Sequence, residues 1–388
     1  MNPHVVIAGG GVGALEALLA LQSHTGTRLR ISVLCATHSL TYRALSVAEP
    51  FGAEPARRFE WEQITRDRDV RWIRDVLTRV RPAERELDGR DGPPVRYDAL
   101  LLALGARPEP ALPGAIPFAG PRDVAAVADA IAALAPGRHH SIAFVATAGT
   151  AWTLPLYELA LMTAEHGRRR GLDLAIELVT RESSPLGIFG AEASAAVARR
   201  LNDAGIHLRT GTFATEVADG KLWLELEGTL DVDLAIALPP LSGPYVPGLP
   251  ADSGGFVPVD RLGRVRGVDR VWAVGDMTAR PVKQGGLTAQ QADVAAADIA
   301  AQVGGADVRV RPYHPTLHGL LLTGGDPVYL ERRPHAPPES EASDSFLWWP
   351  AHKIVGRHLG PYLESLARRQ PSPQRVGDPH DGRAVHSS

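Results

Sequence analysis

The chain opens with a short apolar run, "HVVIAG", a cluster of glycines, and then an Ala/Leu-rich stretch, "VGALEALLALQS". A brief apolar run ended by glycine reads as a buried strand, and the longer segment after it favours helix. The next apolar run, "RISVLC", closes a βαβ unit at the start of the chain. Further on, "VRYDALLLALGARPEPALPG" reads as a buried strand that leaves through Gly105 into a proline-rich connection, with a boundary near residue 115. The pattern then repeats. A helix "DVAAVADAIAALA", a strand "SIAFVAT", a helix around "LPLYELALMTAEHG" and a strand "LAIELVT" predict a second βαβ unit, so internal duplication is expected.

A helix "GAEASAAVARRLNDAG" and an alternating run "KLWLELEG" follow. The chain returns through a strand, "DRVWAVGD", and a glycine-started helix in "KQGGLTAQQADVAAADIAAQV". Past residue 310, "LHGLLLTGGDPVYLERR" predicts a hairpin, "HAPPESEASDS" a loop, and "AHKIVGRHLGPYLESLARR" an amphipathic helix. The expected fold is α/β with two Rossmann-like domains. The first is discontinuous, 1–115 and 255–311; the second spans 116–254; a hairpin-helix segment covers 312–370; and a polar, proline-bearing tail, 371–388, is expected to be disordered.

Composition narrows the function. With 388 residues, two or three domains are expected, and 44% hydrophobic with 22% charged residues fits a globular protein. A net charge of -3, without a basic stretch carrying interleaved aromatics, speaks against a nucleic-acid partner. No run of ~18 apolar residues occurs and the first strand starts without a basic leader, so a cytoplasmic chain is expected. Cys35 is the single cysteine, which leaves no internal disulfide, redox pair or cysteine-based metal cage.

In "VVIAGGGVGALEA" the fingerprint positions are Gly9, Gly11 and Ala14. The first allows the tight turn, the second lets backbone approach a pyrophosphate, and the third needs only a small residue where helix meets strand. Gly13 adds room, and Val12 lies at the opening of a helix whose free N–H groups favour phosphate. The acidic residue that would grip the adenosine ribose is replaced by Cys35, which reads as a small buried residue beside the ligand. A second clue is "VWAVGDMTARPVKQGGLTAQQA". There a strand ends in Gly275 and Asp276, whose carboxylate can accept from a sugar-alcohol hydroxyl or simply cap the turn, and a helix begins at Gly285 and Gly286 with its positive end free to face a ring carbonyl. Lys283 and Gln284 stand where they could meet the ring edge, though Lys283 could equally be solvent-exposed.

These residues resemble the pyridine nucleotide-disulfide oxidoreductases, nearest the branch of sulfide:quinone oxidoreductases and type II NADH dehydrogenases. The resemblance covers about residues 1 to 320 and rests on "GGGVGALEA", "YDALLLALGARP" and "VWAVGDMTARP". It implies FAD, with the pyrophosphate over Gly9 to Ala14, the ribitol at Asp276 and the ring facing the helix after Gly286. Gly105 belongs to the second motif, where Leu104 replaces the usual threonine. Arg43, in "LTYRAL", either meets the flavin and its phosphates or is a surface charge.

The same fingerprint laid on "VATAGTAW" places Ala146, Ala148 and Ala151 where the first turn has Gly9, Gly11 and Ala14. A methyl at the middle position occupies pyrophosphate space, and Pro155, suited to a first helical turn, delays the helix. Glu182 follows the next strand as a candidate ribose ligand. A retained fold with a lost or altered nicotinamide site is expected. The sulfur relay of sulfide:quinone enzymes needs paired cysteines and cannot run on Cys35 alone. His314 and His318 do not read as a metal pair, because Pro315 and Gly319 oppose a helix there. Glu158 is the weak acid-base candidate, with a helix-surface role favoured.

The C-terminal segment sets Val355, Leu359, Tyr362 and Leu366 at helical spacing, after Trp348 and Trp349. It is expected to dock on its own flavin domain or on a second subunit, burying both tryptophans; peripheral membrane contact that admits a quinone is the other reading, and the tryptophans could also wall the flavin pocket. The resulting expectation is an FAD-dependent oxidoreductase with a small-molecule donor and acceptor and no assigned catalytic side chain. NAD(P)H:quinone reduction and a non-catalytic, partner-binding flavoprotein are the alternatives.

Overall fold

The structure is a computed structural model and describes residues 2–225 and 228–369. The expected tail, 371–388, lies outside the described residues. Seven α-helices are present among those described: α1 Val12–Thr25, α2 Trp61–Asp67, α3 Val124–Ala132, α4 Leu154–Arg170, α5 Ala191–Asp203, α6 Gly285–Gln302 and α7 Leu359–Arg369.

Two five-stranded sheets organise them, and every pairing in both is parallel. In the first, His4–Ala8 lies between Arg30–Leu34 and Ala99–Leu102, and the late strand Val271–Ala273 adds beyond Ala99–Leu102. Parallel strands need crossovers and both faces covered, which is why these strands read as unbroken apolar runs. Val5, Val6, Ile7 and Ala8 are all fully buried. The second sheet centres on His139–Ala146, between Asp173–Val179 and Leu234–Leu238. It carries its own core of Phe144, Leu156, Leu178, Phe189 and Ile236. Fold class thus follows the sequence expectation: two Rossmann-like α/β units.

Helices α1 and α6 lie against each other, and Ala14, Ala17, Leu18, Ala292, Ala295 and Ile299 belong to one buried core with the first sheet. The C-terminal segment divides its packing between the two units. The hairpin of Leu317–Leu321 with Val328–Arg332 puts Leu317, Leu321, Val328 and Leu330 into the second core. Helix α7 puts Leu359, Leu363 and Leu366 into the first.

Three expectations for this segment need correction. The stretch read as a loop contains Ser340–Ser343, a third strand on the hairpin, because an unpaired edge at Val328–Arg332 offers it a full ladder. The helix begins only at Leu359, so Val355 precedes it, and Gly356 sits where an added Cβ would press on Glu16 Oε2. The segment docks on its own chain, but its tryptophans are not both buried: Trp348 is half-buried and Trp349 is 79% exposed.

Candidate flavin site and the altered second turn

At the first turn Gly9, Gly11 and Gly13 separate by what surrounds them. Gly9 has φ +141°, and a Cβ there would collide with the Ala103 carbonyl oxygen. A Cβ on Gly13 would come within 2.9 Å of Thr288 Cγ2, so this glycine lets α1, α6 and the sheet approach closely. A Cβ on Gly11 would meet nothing within 4 Å. Protein packing therefore does not require glycine at 11; the space it leaves open is where the fingerprint leads one to expect a pyrophosphate. No side chain caps the amides of α1, which begins at Val12 with Ala14, two residues on, fully buried. An adjoining cleft of about 460 Å³ runs over Gly9, Gly10, Cys35, Thr37 and Leu104. Cys35 forms part of its wall and is 5% exposed, with burial raising its thiol pKa.

The second segment arrives from the other side. Gly275 has φ +74°, and its N–H donates to Gln291 Oε1 at 2.8 Å. Asp276 follows, its Oδ1 sealed from solvent with no hydrogen-bond partner among the described residues. Burial raises its carboxyl pKa, while Lys283 and Arg43 pull it down. A sealed, unpartnered carboxylate oxygen is costly unless a ligand hydroxyl or N–H reaches it. The ribitol hydroxyl expected there has the required chemistry. Gly105, φ +73°, also faces open space.

Lys283 is buried rather than solvent-exposed: it is 7% accessible, donates to the Thr278 carbonyl and sits 3.8 Å from the Phe256 ring centroid. Burial pushes its ammonium down to about 8. Gln284 does not present its amide to a ring edge. Its Oε1 accepts from Leu287 N at 2.7 Å, capping α6, and its Nε2 donates to the His318 carbonyl at 3.1 Å. Gly285 lies against Ile354, where a Cβ would come within 3.0 Å, and Gly286 lies against Gln284 itself. Arg43 donates to the Ala119 carbonyl at 3.2 Å. It joins Lys283, Ser46, Thr150 and Trp152 around a chamber of about 170 Å³ between the two units.

At the second turn, the loop is folded onto itself. Thr147 Oγ1 and Thr150 Oγ1 both donate to the Leu238 carbonyl, at 2.7 and 3.2 Å, and Thr150 N donates to Thr147 O at 3.1 Å. Helix α4 starts at Leu154 with Pro155 in its first turn. Its free amides thus stand several residues beyond the strand end at Ala146. Glu182 is already engaged, accepting from Tyr157 Oη at 2.7 Å and Thr180 Oγ1 at 3.2 Å.

Glu158 lies in the interior, which corrects the expectation of a helix-surface position. It is 0% exposed, accepts from Leu322 N at 3.0 Å and meets Lys353 Nζ at 2.6 Å through both oxygens. The pair ties α4 to the segment before α7, so this carboxylate has a structural partner rather than an open path to a substrate. The signal was present in "LPLYELALM", where Leu154, Leu156, Leu159, Leu161 and Met162 surround the glutamate on every face. His314 and His318 are not brought together as a pair: His314 is exposed beside Arg261, and His318 lies on a strand facing Glu331 at 3.1 Å. Thr288 and Gln291, which hold the two glycine segments against α6, carried no signal in one sequence.

Two parallel α/β units, one entered through an open glycine turn, define a protein of the two-dinucleotide-fold class. Residues 3–298 match the pyridine nucleotide-disulphide oxidoreductase family, and the chain belongs to it. Among solved structures, the fold is similar to the sulfide:quinone oxidoreductase of the hyperthermophilic bacterium Aquifex aeolicus. The TM-score is 0.79 at 17% identity, covering 88% of this chain and 87% of that one. A ferredoxin reductase from Rhodopseudomonas palustris is also similar, with a TM-score of 0.66 at 20% identity, covering 86% and 83%.

Proposed function

We propose that this chain is an oxidoreductase that binds one FAD in the first unit, formed by 1–115 and 255–311, and leaves the nicotinamide position of the second unit, 116–254, unused. The observation that carries the reading is the contrast between the two turns. An added Cβ at Gly11 faces open space and Asp276 Oδ1 lacks a partner among the described residues, whereas the loop around Ala148 is pinned by Thr147 and Thr150 to Leu238.

FAD would supply a ring that accepts two electrons from one molecule and returns them to another. The chain's own contribution is binding and electrostatics. Gly9 to Ala14 offer backbone amides to the pyrophosphate, Asp276 orients the ribitol, and the positive end of α6 together with Lys283 and Arg43 places positive charge near the chamber between the units. The donor and acceptor are small molecules reaching that chamber of about 170 Å³. A sulfur relay through paired cysteines is not part of the proposal, because Cys35 has no second thiol to pair with.

The test is spectroscopic. The purified chain is expected to show oxidised-flavin absorbance, release FAD on denaturation, bleach with dithionite under anaerobic conditions, and remain oxidised with millimolar NADH or NADPH. Rapid bleaching by either nicotinamide would refute the unused second site, and protein devoid of flavin would refute the first.

A further inference from the structure

Outside the flavin site, three chelating side chains from distant parts of the sequence converge behind the fingerprint helix. Glu16 lies on α1, Asp293 on α6 and His358 immediately before α7, and one ligand atom from each lies within 4.8 Å of the others. Glu16 is fully buried, and its two oxygens accept from His358 N at 3.0 Å and Leu359 N at 2.6 Å, with the Arg357 backbone N–H also directed at the carboxylate. Asp293 Oδ1 and His358 Nε2 stand 3.5 Å apart, too long for a good hydrogen bond, and both atoms are sealed from solvent without a partner among the described residues. Metal–ligand bonds of about 2.0–2.1 Å in a tetrahedral shell put neighbouring donors about 3.4 Å apart, so this spacing is that of two ligands of one ion.

We propose that Glu16, Asp293 and His358 form a binding site for a divalent transition-metal ion, with water in a remaining position, that fastens the C-terminal helix to the two helices of the first unit. One imidazole and two carboxylates form a nitrogen-oxygen donor set suited to Zn²⁺ and its first-row neighbours. Arg357, 3.6 Å from Asp293 Oδ2, is the competing cation, and His24 also lies close enough to His358 to bear on its charge.

The test uses the full chain with its flavin, treated with EDTA, dialysed and titrated with Zn²⁺ by calorimetry, with metal content measured after gel filtration. One Zn²⁺ per chain is expected, with a raised thermal midpoint. Asp293→Asn and His358→Gln should each weaken binding at least tenfold while leaving flavin absorbance and circular dichroism unchanged. Arg357→Ala, which keeps all three ligands and removes the competing charge, should bind as tightly or more tightly. Wild-type protein that retains no stoichiometric Zn²⁺, or equal affinity in wild type and both ligand variants, overturns the proposal. Because flavin content is read separately, loss of the flavin reading and loss of the metal site give different results.

Discussion

Replacing Lys353 by alanine is the sharpest perturbation of the buried pair that joins α4 to the C-terminal segment. The variant leaves Glu158, 0% exposed, with only the Leu322 N–H as partner. A lone carboxylate at such a position escapes by taking up a proton. Against an ordinary value of 4.5, protonation at pH 7 spans two and a half units of about 1.4 kcal/mol each, so the variant should lose at most about 3.5 kcal/mol, burial already raising the carboxyl in the wild-type pair. The sign follows from linkage: the variant's folded state holds a proton that its unfolded state releases above 4.5, so the deficit grows as pH rises. At pH 5.5 it should shrink to about 1.4 kcal/mol. Urea unfolding of wild type and variant, followed by tryptophan fluorescence at both pH values, measures this directly. Adding Glu158→Gln to the variant should remove the pH dependence and recover part of the loss, because the remaining side chain is neutral. Equal deficits at the two pH values, or a loss below about 0.5 kcal/mol at pH 7, would show that the pair is not a buried charge pair in solution.

Three further outcomes are expected. Gly11→Val should abolish flavin binding while changing apoprotein stability by less than about 1 kcal/mol, since its Cβ meets nothing within 4 Å; a misfolded variant would contradict the assignment of that space to a ligand. Asp276→Ala should weaken FAD by roughly ten- to a hundredfold, read from flavin retained through gel filtration, because a ligand hydrogen bond to a charged group is lost. Lys283→Met should stabilise the apoprotein at neutral pH by about 1–2 kcal/mol. Burial lowers the Lys283 pKa to about 8 from 10.5, so wild type carries its penalty fully below 8 and loses it as pH rises toward 10.5; the gain in the variant must fade over the same window, checked by thermal unfolding across pH.

Much of the architecture was legible from local pattern alone. Strands such as His4–Ala8 and Ala99–Leu102 are apolar on both faces because parallel sheets bury both, and glycine turns announce themselves by residue type. The altered second turn was legible for the same reason, since alanine and proline restrict their own backbone wherever they occur. Glu182 was harder to place, because its partner Tyr157 lies 25 positions away. The three-stranded C-terminal sheet was missed because Ser340–Ser343 is polar and owes its strand to the edge it pairs with.

The sequence by itself determined the two α/β units, the open glycine turn of the first and the alanine- and proline-bearing turn of the second, because each depends on a residue's own conformational or steric properties within a few positions. Tertiary structure alone decided that Glu158 meets Lys353 across 195 positions, that Gln284 caps its helix and reaches the His318 carbonyl, and that Glu16, Asp293 and His358 converge. Charged and amide side chains look alike on a surface or in a core. Which partner compensates their desolvation is set by chain segments that only folding brings together.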